Sequence, residues 1–239
     1  MPHRPLSVLS CALLALAAGC ATVAPSSDRV PRLLTADQLR AAAVTDGDLG
    51  HGYSVTLMAP GRQTAQGADR QTSDVAACQP VLDAMAPGKA ASGPIAETDL
   101  GVALAADPAG SVYAGLLAFE PGRAADIQGE LDRVLAQCGS FTSTARSAGP
   151  AGGKGAVVRT RHRLSRIDTP TPEGADGASA FTLTNESDAT SLVQRALLAR
   201  AGTVLAVFTT VGAGGNPAPA PDQGLVQAQV AKLREAQQQ

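Results

Sequence analysis

The chain has 239 residues, carries 19 Lys and Arg against 21 Asp and Glu, and has no Trp and only 3% aromatic residues. That near-neutral balance offers no basic field for nucleic acid, and so few aromatics argue against a stacking platform for sugars or bases. The length suits one large domain or two small ones once any targeting segment is set aside.

The first segment reads as such a targeting segment. Residues 6–18 are almost entirely apolar and follow a short head with His3 and Arg4. The run is too short to span a bilayer and has the form of a signal-peptide core. It ends in Leu16-Ala17-Ala18-Gly19-Cys20, which looks like the lipobox of bacterial lipoproteins, with its leucine one place early and Ala17 three before the cysteine. The expectation is therefore a signal peptide over residues 1–19 and lipidation of Cys20 with diacylglyceryl and palmitate chains. Two alternatives stay open: an ordinary secretory signal with an incidental cysteine, and an uncleaved anchor helix. Residues 20–32 then form a tether, small and polar from 21 to 28, and the folded domain occupies 33–239. Two or more acyl chains give stable membrane attachment. No charge of either sign other than Arg4 leaves with the signal, so the mature part keeps 18 Lys and Arg against 21 Asp and Glu.

Of the four cysteines, Cys11 departs with the signal and Cys20 is acylated. Cys78 and Cys138 remain in an oxidising compartment, where one disulfide is expected and a pair of buried free thiols is the alternative. Closing a loop of about sixty residues stabilises a fold by about 4 kcal/mol on the chain-entropy view.

Along the domain, Thr35 is placed to cap a short helix through Leu39. Residues 45–73 are polar and mostly irregular, with an alternating strand only at 53–57. A helix with Val75, Cys78, Leu82 and Met85 near one face follows, and Pro80 forces its regular part to begin there. Strands at 98–104 and 111–119 pair across a turn at Asp107-Pro108-Ala109-Gly110. The clearest helix spans 123–138, with Ile127, Leu131, Val134, Leu135 and Cys138 in one apolar stripe. After a glycine-rich break, strands are expected at 156–164, 180–185, 191–199 and 203–211, the last two joined by a turn at Arg200-Ala201-Gly202. Asp222 caps a final helix whose apolar face carries Val226, Val230 and Leu233. Strands joined by short turns and flanked by helices make an α+β domain.

This order resembles the actinobacterial sensor domain found outside the membrane in PknH-type serine/threonine kinases and in many stand-alone lipoproteins. The residues that carry it are Leu33-Leu34-Thr35-Ala36-Asp37-Gln38-Leu39, Val75-Ala76-Ala77-Cys78-Gln79-Pro80-Val81-Leu82, Ala118-Phe119-Glu120 and Cys138-Gly139-Ser140-Phe141. The hairpin over 197–211 and its closing helix complete the match. The resemblance implies a single domain, a twisted antiparallel sheet with helices packed around a cleft that takes an unidentified ligand. Members often carry more cysteines, so a second bridge of that family has no counterpart here.

Residues able to do chemistry are sparse. His51 and His162 are the histidines left after export, and neither sits in a metal-binding spacing. No metal and no cofactor are expected. His51 falls in a glycine-rich loop and reads as exposed, and His162 as a satisfied structural residue. No G-x-S-x-G elbow occurs. The stretch ending in Lys154-Gly155 has the wrong glycine spacing for a phosphate loop and reads as a surface turn. Arg159, Arg161 and Arg163 alternate along a strand and so share one face, a cationic stripe for an acidic partner or lipid headgroups, or else a solvated face neutralised by its neighbours. The leading expectation is a non-catalytic extracytoplasmic sensor or binding domain on a lipid anchor at the cell membrane, with an unknown small ligand. Its alternatives are a structural lipoprotein that binds an envelope protein, and a hydrolase with a dispersed active site.

Overall fold

Helix α1 (Ala36–Ala41) begins where Thr35 closes a capping box with Gln38, each side chain bonding the other's backbone N–H at 3.3 and 3.0 Å. In this computed structural model of the chain, residues 31–59, 70–87, 90–91, 93–148, 154–187, 191–212 and 216–239 are described. The signal peptide, Cys20 and all but the last residues of the tether lie outside them.

A second, four-residue helix, α2 (Asp46–Leu49), stands where the sequence reads as irregular. Its Asp48 receives Lys232 at 2.6 Å and the Thr45 N–H and hydroxyl, which together hold its carboxyl down to about 2. Strands β1 (Tyr53–Met58) and β2 (Thr72–Ser73) follow. A 3-10 turn over Ala76–Cys78 runs directly into α3 (Gln79–Met85), with Pro80 in the first turn, where its missing N–H costs nothing.

Strands β3 (Ala96–Leu104) and β4 (Asp107–Ala118) form the expected antiparallel pair, but their turn is at 105–106. The Asp-Pro-Ala-Gly sequence read as the turn belongs to β4. Helix α4 spans Arg123–Gln137, and Cys138 caps it. The sequence reading missed β5 (Ser140–Ala148), whose hydroxyl-rich sequence leaves Phe141 as its one large apolar residue. Strand β6 (Lys154–Ile167) starts early enough to take in Lys154 and Gly155, which are strand residues and not a surface turn. Then come β7 (Gly177–Glu186), β8 (Ser191–Ala201), β9 (Val204–Gly212) and α5 (Gln223–Gln238), capped by the Asp222 carboxylate on the Leu225 N–H at 2.8 Å. The β8–β9 turn is Gly202-Thr203, with Gly202 at φ +57°, so Arg200 and Ala201, read as turn residues, belong to β8.

The nine described strands make one antiparallel sheet in the order β1-β3-β4-β9-β8-β7-β6-β5-β2. Helices cover both faces, so the centre of the sheet is buried twice. That explains why β9 reads as an almost unbroken apolar run. Its Val204, Ala206 and Phe208 join a cluster with Leu39 of α1 and Leu225, Val230 and Leu233 of α5. Its Leu205 and Val207 point the other way, into a cluster with Val81 of α3 and Leu131 and Leu135 of α4. Each fully buried Leu or Val side chain contributes about 1.5–3 kcal/mol.

Buried glutamines fasten the helices. Gln229 of α5 accepts from the Val44 N–H at 3.0 Å and donates to the Ala42 carbonyl at 2.8 Å. Gln237 donates to the Ala201 carbonyl at 2.7 Å. Gln128 of α4 donates to the Ser179 hydroxyl and accepts from Arg200 at 3.0 Å, while Ser179 donates to Asp132 at 2.6 Å. The buried backbone groups of Ala42, Val44 and Ala201 are thereby satisfied inside the layers. Among the described residues, no helix is long and apolar enough to cross a membrane.

Candidate functional site

Cys78 and Cys138 form a disulfide with Cα atoms 5.9 Å apart. The bridge joins the start of α3 to the end of α4 and is buried at both ends. Between these helices and the sheet lies a cavity of about 160 Å³. Its floor is aliphatic, made of Leu117, Leu198, Leu205 and Val207 from β4, β8 and β9, all fully buried. Ala84 and Ile127 come from the two helices, and Phe119 closes the side. Charge enters at the rim, through Asp83, Arg123 and Glu130. Asp83 is fixed there by Arg70, whose Nε and Nη2 reach its two oxygens at 3.0 and 2.6 Å, and by Gln79 Nε2 at 3.0 Å. A bidentate pair of this kind sets the carboxylate's direction as well as its charge. None of these lining residues was singled out as a site residue from sequence, because aliphatic residues that line a cavity have the same spacing as those that fill a core.

His162 lies on the face of β6 opposite the arginines and is 1% exposed. Its ring stacks on Phe141 with centroids 4.7 Å apart. Its Nδ1 is 2.7 Å from Asn185 Oδ1, and Asn185 donates its own amide N–H to Gln194 at 2.6 Å. With the Asn185 oxygen left as acceptor, Nδ1 carries the proton and Nε2 accepts from the Ser143 hydroxyl at 2.7 Å. Burial pushes the His162 pKa below its ordinary value, outweighing the hydrogen bond to Asn185 and the nearby Asp74 carboxylate, which raise it. Serine, histidine and amide stand in the connectivity of a nucleophilic triad. Ser143 is also 1% exposed, however, and neither side chain lines a described cavity. With both side chains buried, the chain of bonds satisfies polar groups inside the sheet face. The sequence could not show this, since Ser143 and Asn185 are brought to His162 only by strand register.

Arg159, Arg161 and Arg163 share one face of β6 and are all exposed. Arg163 is ion-paired with Glu186 of β7, which neutralises one end of the stripe, whereas Arg159 stands opposite Thr144 of β5. His51 is exposed in the turn after α2. Among the described residues, no three His, Cys, Asp or Glu side chains are grouped to hold a metal ion.

No family model matches the sequence, and no curated protein does either. Among solved structures, the chain is similar to the extracellular domain of PknH from Mycobacterium tuberculosis. That alignment has a TM-score of 0.47 and 15% identity, and covers 85% of this chain and 96% of the PknH domain. The Rv0999 ortholog of Mycobacterium smegmatis aligns with a TM-score of 0.42 and 12% identity, covering 86% of this chain and 98% of its own. No residue role is carried over from either structure.

Proposed function

We propose that the chain is a lipid-anchored domain on the extracytoplasmic face of the cell membrane that binds a small, largely apolar ligand and performs no chemistry on it. The observation that supports this reading is the cavity beneath α3 and α4, with a buried aliphatic floor and charge confined to its rim, the usual make-up of a small-molecule site. The lipobox-like sequence before Cys20 supports the anchor, and the Cys78–Cys138 bridge accords with an oxidising compartment.

The test is mass spectrometry of small molecules that co-purify with the chain from its native envelope, with Ala84→Phe as the comparison because the added ring fills the cavity. A molecule recovered with the unaltered chain and lost from the variant is the expected result. An empty chain recovered with a tight protein partner would sink the reading. Cys20→Ala is expected to release the protein from membranes, and retention there would remove the anchor.

The arginine stripe supports a second reading, docking of an acidic envelope partner, because Arg159 and Arg161 have no ion-pair partner among the described residues. Replacing all three arginines with Gln should leave folding intact and weaken retention by such a partner. Unchanged retention would make the stripe a solvated strand face.

A further inference from the structure

The opposite face of the sheet holds a second, larger cavity of about 290 Å³. Its floor is Ala180 of β7 and Arg195 and Leu197 of β8, and Val226 of α5 forms one wall. The outer wall is the β6–β7 connection, where Thr169-Pro170-Thr171-Pro172-Glu173 passes over the sheet. This strap is tied down at its C-terminal end. Gln227 of α5 bonds both the N–H and the carbonyl of Glu173, at 3.2 and 2.9 Å, and Arg234 bonds the Gly174 carbonyl and pairs with Asp176. Prolines and a helix clamp therefore preform the cavity, so a ligand would not have to order its walls.

Arg195 is out of keeping with the other half-buried arginines. Arg70 holds Asp83, and Arg200 and Arg234 both hold Asp176. Arg195 is also half-buried, yet it has no ion-pair or hydrogen-bond partner among the described residues. In register its neighbours are Thr182 of β7 and Thr210 of β9, and the Thr210 hydroxyl is already given to the Pro219 carbonyl at 2.5 Å. A guanidinium that lines a cavity and has no carboxylate partner is available to hold an anion there through charge-assisted hydrogen bonds.

The remaining charge lining the cavity is the carboxylate of Glu173. The strap is held to Gln227 through Glu173's backbone, so that carboxylate stays exposed. It repels a second negative charge while Arg195 accepts a first. From this combination we infer that the cavity is a binding site for a compact organic monocarboxylate, its carboxylate on Arg195 and its aliphatic body against Ala180, Leu197 and Val226. The site is separate from the disulfide-side cavity and does not depend on what that cavity holds.

Titration calorimetry of the full chain with hexanoate, hexanamide and inorganic phosphate tests the inference. Hexanoate is expected to bind saturably, at least about tenfold more tightly than hexanamide, since a charge-assisted pair is lost with the amide. Added salt weakens hexanoate and leaves hexanamide unchanged. Arg195→Gln removes the difference between the two, Arg195→Lys keeps part of it, and Glu173→Gln raises phosphate binding. Ala84→Phe, which blocks the other cavity, leaves hexanoate binding as it was. Equal affinity for hexanoate and hexanamide, no saturable hexanoate binding, or an Arg195→Gln variant that folds and binds hexanoate unchanged would each overturn the inference. If Arg195→Gln does not fold, the hexanoate and hexanamide comparison on the unaltered chain decides.

Discussion

Replacing Gln229 with Leu separates packing from hydrogen bonding at the place where α5 meets the segment that follows α1. The side chain is 0% exposed, and the backbone groups it satisfies belong to Ala42 and Val44, which are buried as well. Leucine keeps nearly the same bulk but can neither accept from the Val44 N–H nor donate to the Ala42 carbonyl. Two backbone groups are then stranded away from water, at about 1–3 kcal/mol each, partly offset by the apolar gain of the leucine. The expected loss is about 2–4 kcal/mol, or a fall in Tm of about 5–15 °C for a domain of this size. Urea unfolding followed by far-ultraviolet circular dichroism is the suitable assay, because the chain has no Trp and only two Tyr to report by fluorescence. A loss below about 1 kcal/mol, with the urea dependence unchanged, would show that the two Gln229 hydrogen bonds do not help to hold α5 to the N-terminal segment.

Three further outcomes follow from the geometry. Removing the bridge with Cys78→Ala and Cys138→Ala opens a loop of 60 residues and should cost about 4 kcal/mol, measured against the oxidised chain in urea. A cost near zero would mean the unfolded chain is already constrained there. His162 has a folded pKa below its unfolded one, so below about pH 6.5 the unfolded chain takes up a proton that the folded chain refuses. Stability is therefore full above that pH and declines as pH falls through it, and His162→Gln should flatten the decline between pH 7 and 5. Gly202→Ala places a Cβ in a left-handed turn, 2.1 Å from the Gln237 amide oxygen. About 1–2 kcal/mol of backbone strain plus displacement of the Gln237 bond should be visible as a lowered Tm, and an unchanged Tm would refute the turn geometry.

The sequence was most informative where one physical signal acted alone. Thr35 and Asp222 mark helix starts because their side-chain oxygens answer orphan N–H groups, and α1 and α5 begin at those caps. The apolar stripe of α4 has no competing period, and its buried Leu131, Val134 and Leu135 fall on the face expected. Strand β5 escaped notice because Ser and Thr fit a strand without announcing a buried face, and burial of Ser143 depends on His162 across the pair. The Asp107-Pro108-Ala109-Gly110 turn failed for the opposite reason. Its residues favour a turn locally, but pairing of Leu104 with Asp107 closes the hairpin two residues earlier. The two cavities were illegible because a void between layers depends on which residues face each other across helices and strands far apart in sequence. The disulfide was legible because only two cysteines remain in the domain beyond the lipobox.

The strand order also sets a schedule for folding. Strands β3 and β4 pair across a short turn, and β5 through β9 each pair with the next strand in sequence, but the two runs join at β4 and β9, where Ala118 pairs with Val204, and again at the far edge, where β2 pairs with β5. That central seam is the late, slow contact, since a long loop must close before any of its bonds form. The covalent link between Cys78 and Cys138 joins the start of α3, which packs on α4 and β2, to the residue that leads into β5. Once formed, the bridge leaves the loop between β4 and β9 no shorter, but it brings Thr72 and Thr144 of the far edge close together along the cross-linked chain, so that the β2–β5 pairing becomes a local event. The bridge thus acts first on the edge of the sheet where the earliest described strand residues after β1 meet β5, and leaves the central seam to close by itself.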